Sequence, residues 1–225
     1  MRPAEWARPV RPSGATVPAG HEEGLELNAL LGLSRMIDAL NDRVGKMVLW
    51  LVLASVLISA GNAIVRKAFD MSSNSLLEIQ WYLFAAVFLL ASGYTLLNNE
   101  HVRIDVISSH LSDRKRAWID VIGFTCFLLP FSVLTVGLSI PYFLQAFHSG
   151  EMSSNAGGLI RWPVYLLIPV GFFLLGLQGI SELIKRVAFL KGLIDDPTRK
   201  KTEKTAEEEL AEFVRAQQEK AGARQ

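Results

Sequence analysis

Four stretches of this chain contain no charged residue, although Asp, Glu, Lys and Arg make up 20% of it. They run Met47–Val65, Ile79–Asn99, Val121–Phe147 and Trp162–Ser181, which is 19, 21, 27 and 20 residues. A hydrocarbon core about 30 Å thick is crossed by roughly 20 apolar residues at about 1.5 Å rise each. In lipid every backbone polar group must find its partner inside the protein, so only helices and closed barrels span. These windows are too continuously apolar for barrel strands, whose side chains alternate. The expected fold is therefore an all-α membrane protein with four transmembrane helices, spans at about 45–66, 77–99, 118–147 and 162–184.

The charges between the spans orient them. With four spans, the N-terminal tail, the 100–117 loop and the C-terminal tail share one side. That side holds 20 of the Lys and Arg residues, against Arg66, Lys67 and Arg161 on the other. Near the span ends alone the ratio is still 10 to 3, the ten being Arg35, Arg43, Lys46, Arg103, Arg114, Lys115, Arg116, Lys185, Arg186 and Lys191. The positive-inside rule then puts both termini in the cytoplasm.

Outside the spans, residues 1–27 are Pro- and Gly-rich without apolar period and are expected to form a disordered tail. No short apolar run with a small-residue cleavage site precedes Met47, so no signal peptide is expected. Residues 28–191 form the membrane domain, and 192–225 a charged tail that is either a solvated helix or a partner-binding segment. Leu30, Leu33, Ile37, Leu40, Val44 and Met47 recur at helical steps, with Ser34, Arg35, Asp38, Asn41 and Asp42 opposite. That pattern predicts an amphipathic helix lying along the cytoplasmic surface before it turns into the membrane. A second short amphipathic segment, 102–117, carries Ile104, Ile107 and Leu111 and then Arg114-Lys115-Arg116. The basic cluster either rests on anionic headgroups or simply obeys the orientation rule.

Polar residues line single faces of three spans: Ser55, Ser59, Asn62 and Arg66; Thr125, Ser132, Thr135 and Ser139; Gly171, Gln178 and Glu182 beside Gly176 and Gly179. Small and hydrogen-bonding side chains mark helix contacts in lipid. The seams serve either packing among the four helices or docking to another membrane protein. Glu78 and Arg66 stand at the non-cytoplasmic ends of their helices, where an ion pair is expected and a proton or ion relay is the sharper alternative.

The chemistry missing from the chain narrows its function. No span has a Lys, Arg or Asp in its middle. His101 and His148 lie at opposite ends of spans, with His110 in a loop, so no paired axial ligands for haem are in sight. There is no H-E-x-x-H, G-x-S-x-G or P-loop, nor a pair of broken spans of the transporter-site type. Lone Cys126 allows no internal disulfide and is read as packing, and near-neutral charge disfavours nucleic acid. No catalytic residue, cofactor site or metal site is expected.

Leu77-Glu78-Ile79-Gln80-Trp81-Tyr82-Leu83-Phe84, continuing through Gly93-Tyr94-Thr95-Leu96 to His101-Val102-Arg103-Ile104-Asp105-Val106, resembles the small membrane subunit of TRAP (tripartite ATP-independent periplasmic) transporters. So do Gly150-Glu151-Met152-Ser153-Ser154-Asn155-Ala156-Gly157-Gly158-Leu159, Arg161-Trp162-Pro163, Ile168-Pro169-Val170-Gly171-Phe172, Leu177-Gln178-Gly179 and Glu182-Leu183. The resemblance covers about residues 36–191. It implies a non-enzymatic, multi-pass subunit of the bacterial inner membrane in a secondary transporter. Such a subunit scaffolds a large permease and helps dock a periplasmic solute receptor, for cation-coupled uptake of an organic acid or similar solute. On that reading Ser55, Ser59, Asn62, Gln178 and Glu182 contact the large subunit. Arg66, Lys67, Glu151 and Arg161 form the receptor-docking face. The competing readings are a membrane anchor or haem-bearing redox subunit of a quinone-linked enzyme, and a small transporter that works alone as an oligomer.

Overall fold

A computed structural model describes residues 21–69, 74–99 and 111–195, with side chains from residue 29 onward. Four helices account for nearly all of it: α1 (His21–Phe69), α2 (Asn74–Leu97), α3 (Asp113–Ser149) and α4 (Trp162–Leu190). Each is long and apolar enough to cross a membrane. Among the described residues there is no strand, only an isolated antiparallel bridge between Met152 and Ile160.

Local sequence explains where the helices start, stop and deform. Ser112 precedes α3 in an extended conformation, and Asp113 sits in its first turn, where the helix dipole favours an anion. Arg66 and Lys67 occupy the last turn of α1, where cations are favoured. Pro130 lacks the N–H that would bond to Cys126 four residues back, and its ring crowds that carbonyl. The chain answers with a π-helical turn over Phe124–Leu128, in which Leu129 N–H reaches the Phe124 carbonyl. At the end of α4, Leu193 N–H bonds to the Ala188 carbonyl (3.0 Å) and Gly192 N–H to that of Phe189 (2.9 Å), the Schellman pairing that satisfies last-turn carbonyls.

α4 is the centre of the bundle. A third of its apolar window is buried, against 11% for α1 and α3 and 17% for α2, and it packs on all three. The closest approaches use missing side chains. A Cβ on Gly171 would stand 2.8 Å from the Leu89 carbonyl oxygen, so α2 and α4 touch backbone to backbone there. Gly93 leaves room for the Asn41 amide, against which a Cβ would collide. Ser132 and Ser139 of α3 are buried while Thr125 is exposed, and Gly176 lies against Ser132. Large apolar side chains point away from this centre: Trp50, Phe84, Phe88, Phe127 and Val133 are each at least 70% exposed. A water-soluble bundle reverses this order. In lipid no hydrophobic drive separates inside from outside, so small and polar groups collect where helices meet.

The segment before the first span shows this inversion most clearly and corrects the amphipathic-helix expectation in two respects. First, no break or turn separates it from the span; both belong to one 49-residue helix. Second, much of its polar side does not face solvent: Ser34, Asp38 and Asn41 pack against α4, while Arg35 is exposed and Asp42 pairs with Lys46. Ser34 and Ser181 share a hydroxyl–hydroxyl bond of 2.7 Å, and Asn41 donates to Gln178 (3.0 Å). Asp38 accepts from Ser181 (2.6 Å), Lys185 (2.9 Å) and Gln178 (3.0 Å). Of the apolar stripe, Leu30, Leu33, Leu40 and Met47 are exposed, whereas Ile37 is buried and Val44 half-buried. Of the second amphipathic segment, the part up to residue 110 lies outside the described residues, and Asp113–Ala117 form the first turns of α3. Both tails likewise lie largely outside them.

Glu182 extends the polar junction. It binds Lys185 (2.6 Å) and Arg186, and Arg186 also binds Asp120 of α3 (2.8 Å) with its guanidinium 4.9 Å from the Phe124 ring. Glu182, Lys185 and Arg186 are each at most 4% exposed. Removing one partner of such a buried pair strands the other charge, at a cost of about 3–5 kcal/mol, whereas an exposed pair contributes about 0–1 kcal/mol. Arg186→Met is therefore expected to lower the melting temperature of the detergent-solubilised protein sharply. Lys46→Met, which removes only the exposed Asp42–Lys46 pair of α1, should leave it within about a degree or two. Equal shifts in a differential-scanning melt would contradict this division.

Candidate functional site

At the end of the bundle opposite the Asp38–Arg186 junction, the 150–161 connection between α3 and α4 is an ordered, folded-back loop. Gly150 (φ 62°) ends α3 in the left-handed region, and Gly157 (φ 71°) makes the turn at the tip, conformations costly for other residues. Between them the chain pairs with itself. Ser153 N–H bonds to the Leu159 carbonyl (2.8 Å) and Arg161 N–H to that of Glu151 (2.9 Å). These bonds flank Met152 and Ile160 as a directly opposed antiparallel pair, with both side chains on one face. Met152 is 62% exposed and Ile160 40%, so that face is apolar and open.

The first turns of α2 hold the loop. Glu78, only 5% exposed, is the principal anchor. Its carboxylate accepts from the Ser153 hydroxyl, the Asn155 amide (2.7 Å) and Leu159 N–H (2.7 Å). Hydrogen bonds to an ionised group are among the stronger ones. Ser75 and Asn74 donate to the carbonyls of Gly157 and Ala156, and Tyr82 donates to that of Ile160 (3.3 Å). The expected Glu78–Arg66 ion pair does not form, because the loop's own donors occupy Glu78 and Arg66 is exposed at the end of α1. Sequence reading had no way to see those donors, which lie 75 to 81 residues further along the chain.

Arg161 and Glu151 close the loop's base as a half-exposed pair at 3.1 Å. Arg161 also donates to the Tyr165 hydroxyl (3.4 Å). That hydrogen bond and the neighbouring Glu151 charge raise the guanidinium above its ordinary value, so its charge is fixed. Beside them, Phe147 and Phe143 meet the Trp162 ring at 5.5 and 6.5 Å, and Tyr142 meets Tyr165 at 4.6 Å. Such an aromatic group suits a membrane–water boundary.

The residues singled out from the sequence fall into three groups. Glu151 and Arg161 are brought together at the loop base; Arg66 and Lys67 are exposed at the end of α1, with no contact to that pair. Ser55 is half-buried and Ser59 exposed on α1, whereas Asn62 is buried with its side-chain oxygen unpartnered. Gln178 and Glu182 form no outer surface. Gln178 has no exposed area, and both bind other side chains of this chain in the polar junction, so they turn inward where the sequence expectation set them toward the large subunit. Cys126 is a free thiol and, contrary to the packing expectation, is exposed. Among the described residues no group of three or more His, Cys, Asp or Glu could hold a metal ion.

The geometry is that of a pinned loop with an exposed apolar face above a charged base. Its anchoring predicts a measurable effect. Glu78→Ala removes the acceptor for three donors at once, so amide hydrogen exchange at residues 153–159 should quicken at least tenfold while the middle of α4 stays protected. Unchanged exchange would mean that the Met152–Ile160 pairing holds the loop without α2.

Comparison with curated proteins and with solved structures returned no match. A family model does match residues 55–189, more than half of the chain: the DctQ component of the tripartite ATP-independent periplasmic transporters. The matched region begins inside α1, ends one residue before the end of α4, and contains the loop with its Glu78 anchor. The chain thus belongs to the DctQ family, as a small multi-pass membrane component of a TRAP transporter of the inner membrane.

Proposed function

We propose that this subunit scaffolds the large permease through the outer face of α1 and presents the 150–161 loop to a periplasmic solute receptor. The complex would take up an organic acid or similar small solute with a co-transported cation. The observation that carries this reading is the pinned loop: a connector needs no six-bond attachment to α2, whereas a docking surface gains from being held in one shape before the partner arrives. The half-buried Ser55 and exposed Ser59 of α1 supply small, polar positions on which another membrane helix can seat closely. The basic residues at the other end of the bundle support cytoplasmic termini and a periplasmic loop.

Orientation is tested first. With Cys126 replaced by alanine, Ser154→Cys should react with an impermeant maleimide on intact spheroplasts. Asp113→Cys should react only after lysis. The opposite pattern at either position would overturn the topology.

The docking role is tested by charge. Glu151 and Arg161 neutralise one another, so either single reversal both disturbs the loop and alters the rim. Exchanging the two, E151R together with R161E, keeps an ion pair but turns its polarity around. Rim charges act mainly on association rate and are screened by salt. The exchange should lower uptake at limiting receptor about three- to tenfold, recover at saturating receptor, and leave co-purification with the permease intact. Uptake equal to wild type at every receptor concentration would reject docking at this rim. Ser59→Leu is the complementary variant, expected to weaken co-purification without altering the loop.

A further inference from the structure

The Asp38–Arg186 end of the bundle carries a cluster that neither the polar junction nor the loop explains. Arg114 and Lys115 open α3, and both are exposed. Arg114 reaches across to donate to the Leu190 carbonyl of α4 (3.3 Å), which sets it beside the exposed Lys191. One turn further along α3 from Arg114 comes Trp118, 57% exposed. One and two turns on from Lys115 come Ile119 and Ile122, 55% and 54% exposed. The outward side of α3 therefore reads, in order from its end, cation, indole, aliphatic side chain. Asp113 is the one exposed carboxylate in this first turn, at the position the helix dipole favours.

We infer that this corner of α3 and α4 binds the headgroup of an anionic phospholipid: Arg114, Lys115 and Lys191 face the phosphate, Trp118 lies at headgroup level, and Ile119 and Ile122 lie along the acyl chains. The order of chemistry along the face selects lipid over a protein occupant. A buried protein contact is depleted in lysine and does not need polarity graded along one helix. A phospholipid has that gradient, from phosphate through glycerol to hydrocarbon. Basic clusters between helix ends are suited to anionic headgroups, each cation contributing about 1 kcal/mol. The arrangement also gives Arg114 a second task. Its bond to the α4 carbonyl ties the two helix ends together at the place where the headgroup would bridge them.

The test uses the full-length chain purified in a non-ionic detergent, delipidated and titrated with phosphatidylglycerol or phosphatidylcholine, bound lipid being counted by native mass spectrometry. Phosphatidylglycerol should bind in preference to phosphatidylcholine. R114Q/K115Q should weaken it about thirtyfold, and K115Q alone about fivefold. R66Q/K67Q, at the opposite end, should leave binding unchanged. Because the Lys115 side chain makes no hydrogen bond among the described residues, K115Q keeps the test valid if loss of Arg114 loosens the helix ends. Brominated phosphatidylglycerol should quench tryptophan fluorescence, with most of the quenching lost in W118F. Three results would overturn the inference: equal binding of the two lipids, displacement of phosphatidylglycerol by millimolar inorganic phosphate, or crosslinking of position 119 to the permease in the assembled transporter.

Discussion

Lipid removes the usual reason for helices to pack, since hydrocarbon around a leucine is as apolar as another leucine. What remains is the need of polar side chains to find one another, and α4 meets that need along one face. Gln178, Ser181, Glu182, Lys185 and Arg186 occupy about two turns of it. Toward α1 they bind Ser34, Asp38 and Asn41; toward α3 they bind Asp120. Every one of these groups is costly if left alone in an apolar setting and acceptable when paired. The junction is therefore less a source of net stability than a constraint. The three helices have one relative register in which no buried charge is abandoned, and a slip of either neighbour by one turn would separate Asp38 from Lys185 or Asp120 from Arg186.

The opposite end solves a different problem by similar means. A loop between two spans is normally bounded by water and satisfied by it. Here Glu78 brings a carboxylate to the loop from another helix and binds two of its side chains and one backbone amide. The loop returns the favour by covering Glu78, which would otherwise stand charged at the start of a span. Between the two ends the contacts are apolar or glycine-mediated, such as Leu89 on Gly171 and Leu128 against Gly179. Fixing both ends of α4 and leaving the middle to close packing makes a stiff slab whose outer faces are free of polar obligations.

Much of this was legible in the sequence, for reasons that differ by element. The four spans were, because exclusion of charge over about 20 residues has few other causes in one chain. The importance of Gln178 and Glu182 was also visible, as polar residues repeating on one helix face, yet whether they look inward or outward was not: helical spacing fixes a side of the helix and says nothing about what lies opposite. The stretch Leu30–Met47 misled for a related reason. Its apolar stripe is identical whether the helix lies along the membrane surface or continues into the span, and the polar side is assigned to water because no partner for it is visible in the local sequence. Asp38 alone carried a clue, since Glu182 is followed at steps of three and four by Lys185 and Arg186, and such a cationic pair beside a span invites a carboxylate from another helix. Glu78 had no local clue, because its partners lie in a loop whose folding depends on it.

The distribution of exposed side chains bears on how a small component can serve a larger assembly. Outward apolar residues such as Phe84, Phe88, Phe127, Val133 and Leu138 are spread over the middle of α2 and α3, where the faces meet acyl chains without polar contacts. On α1 the exposed face is interrupted by Ser59, Ala60 and Ala63. Small side chains allow close helix approach. Of the outer faces, that of α1 is the one whose small side chains leave room for the closely seated helix proposed above, while the middle of α2 and α3 is covered by large apolar side chains. A rigid bundle with one such face, and with a pinned loop at one end, can be held against a larger membrane protein in a single orientation. The loop then keeps a fixed position relative to that partner, which a flexible connector on the same four spans would not.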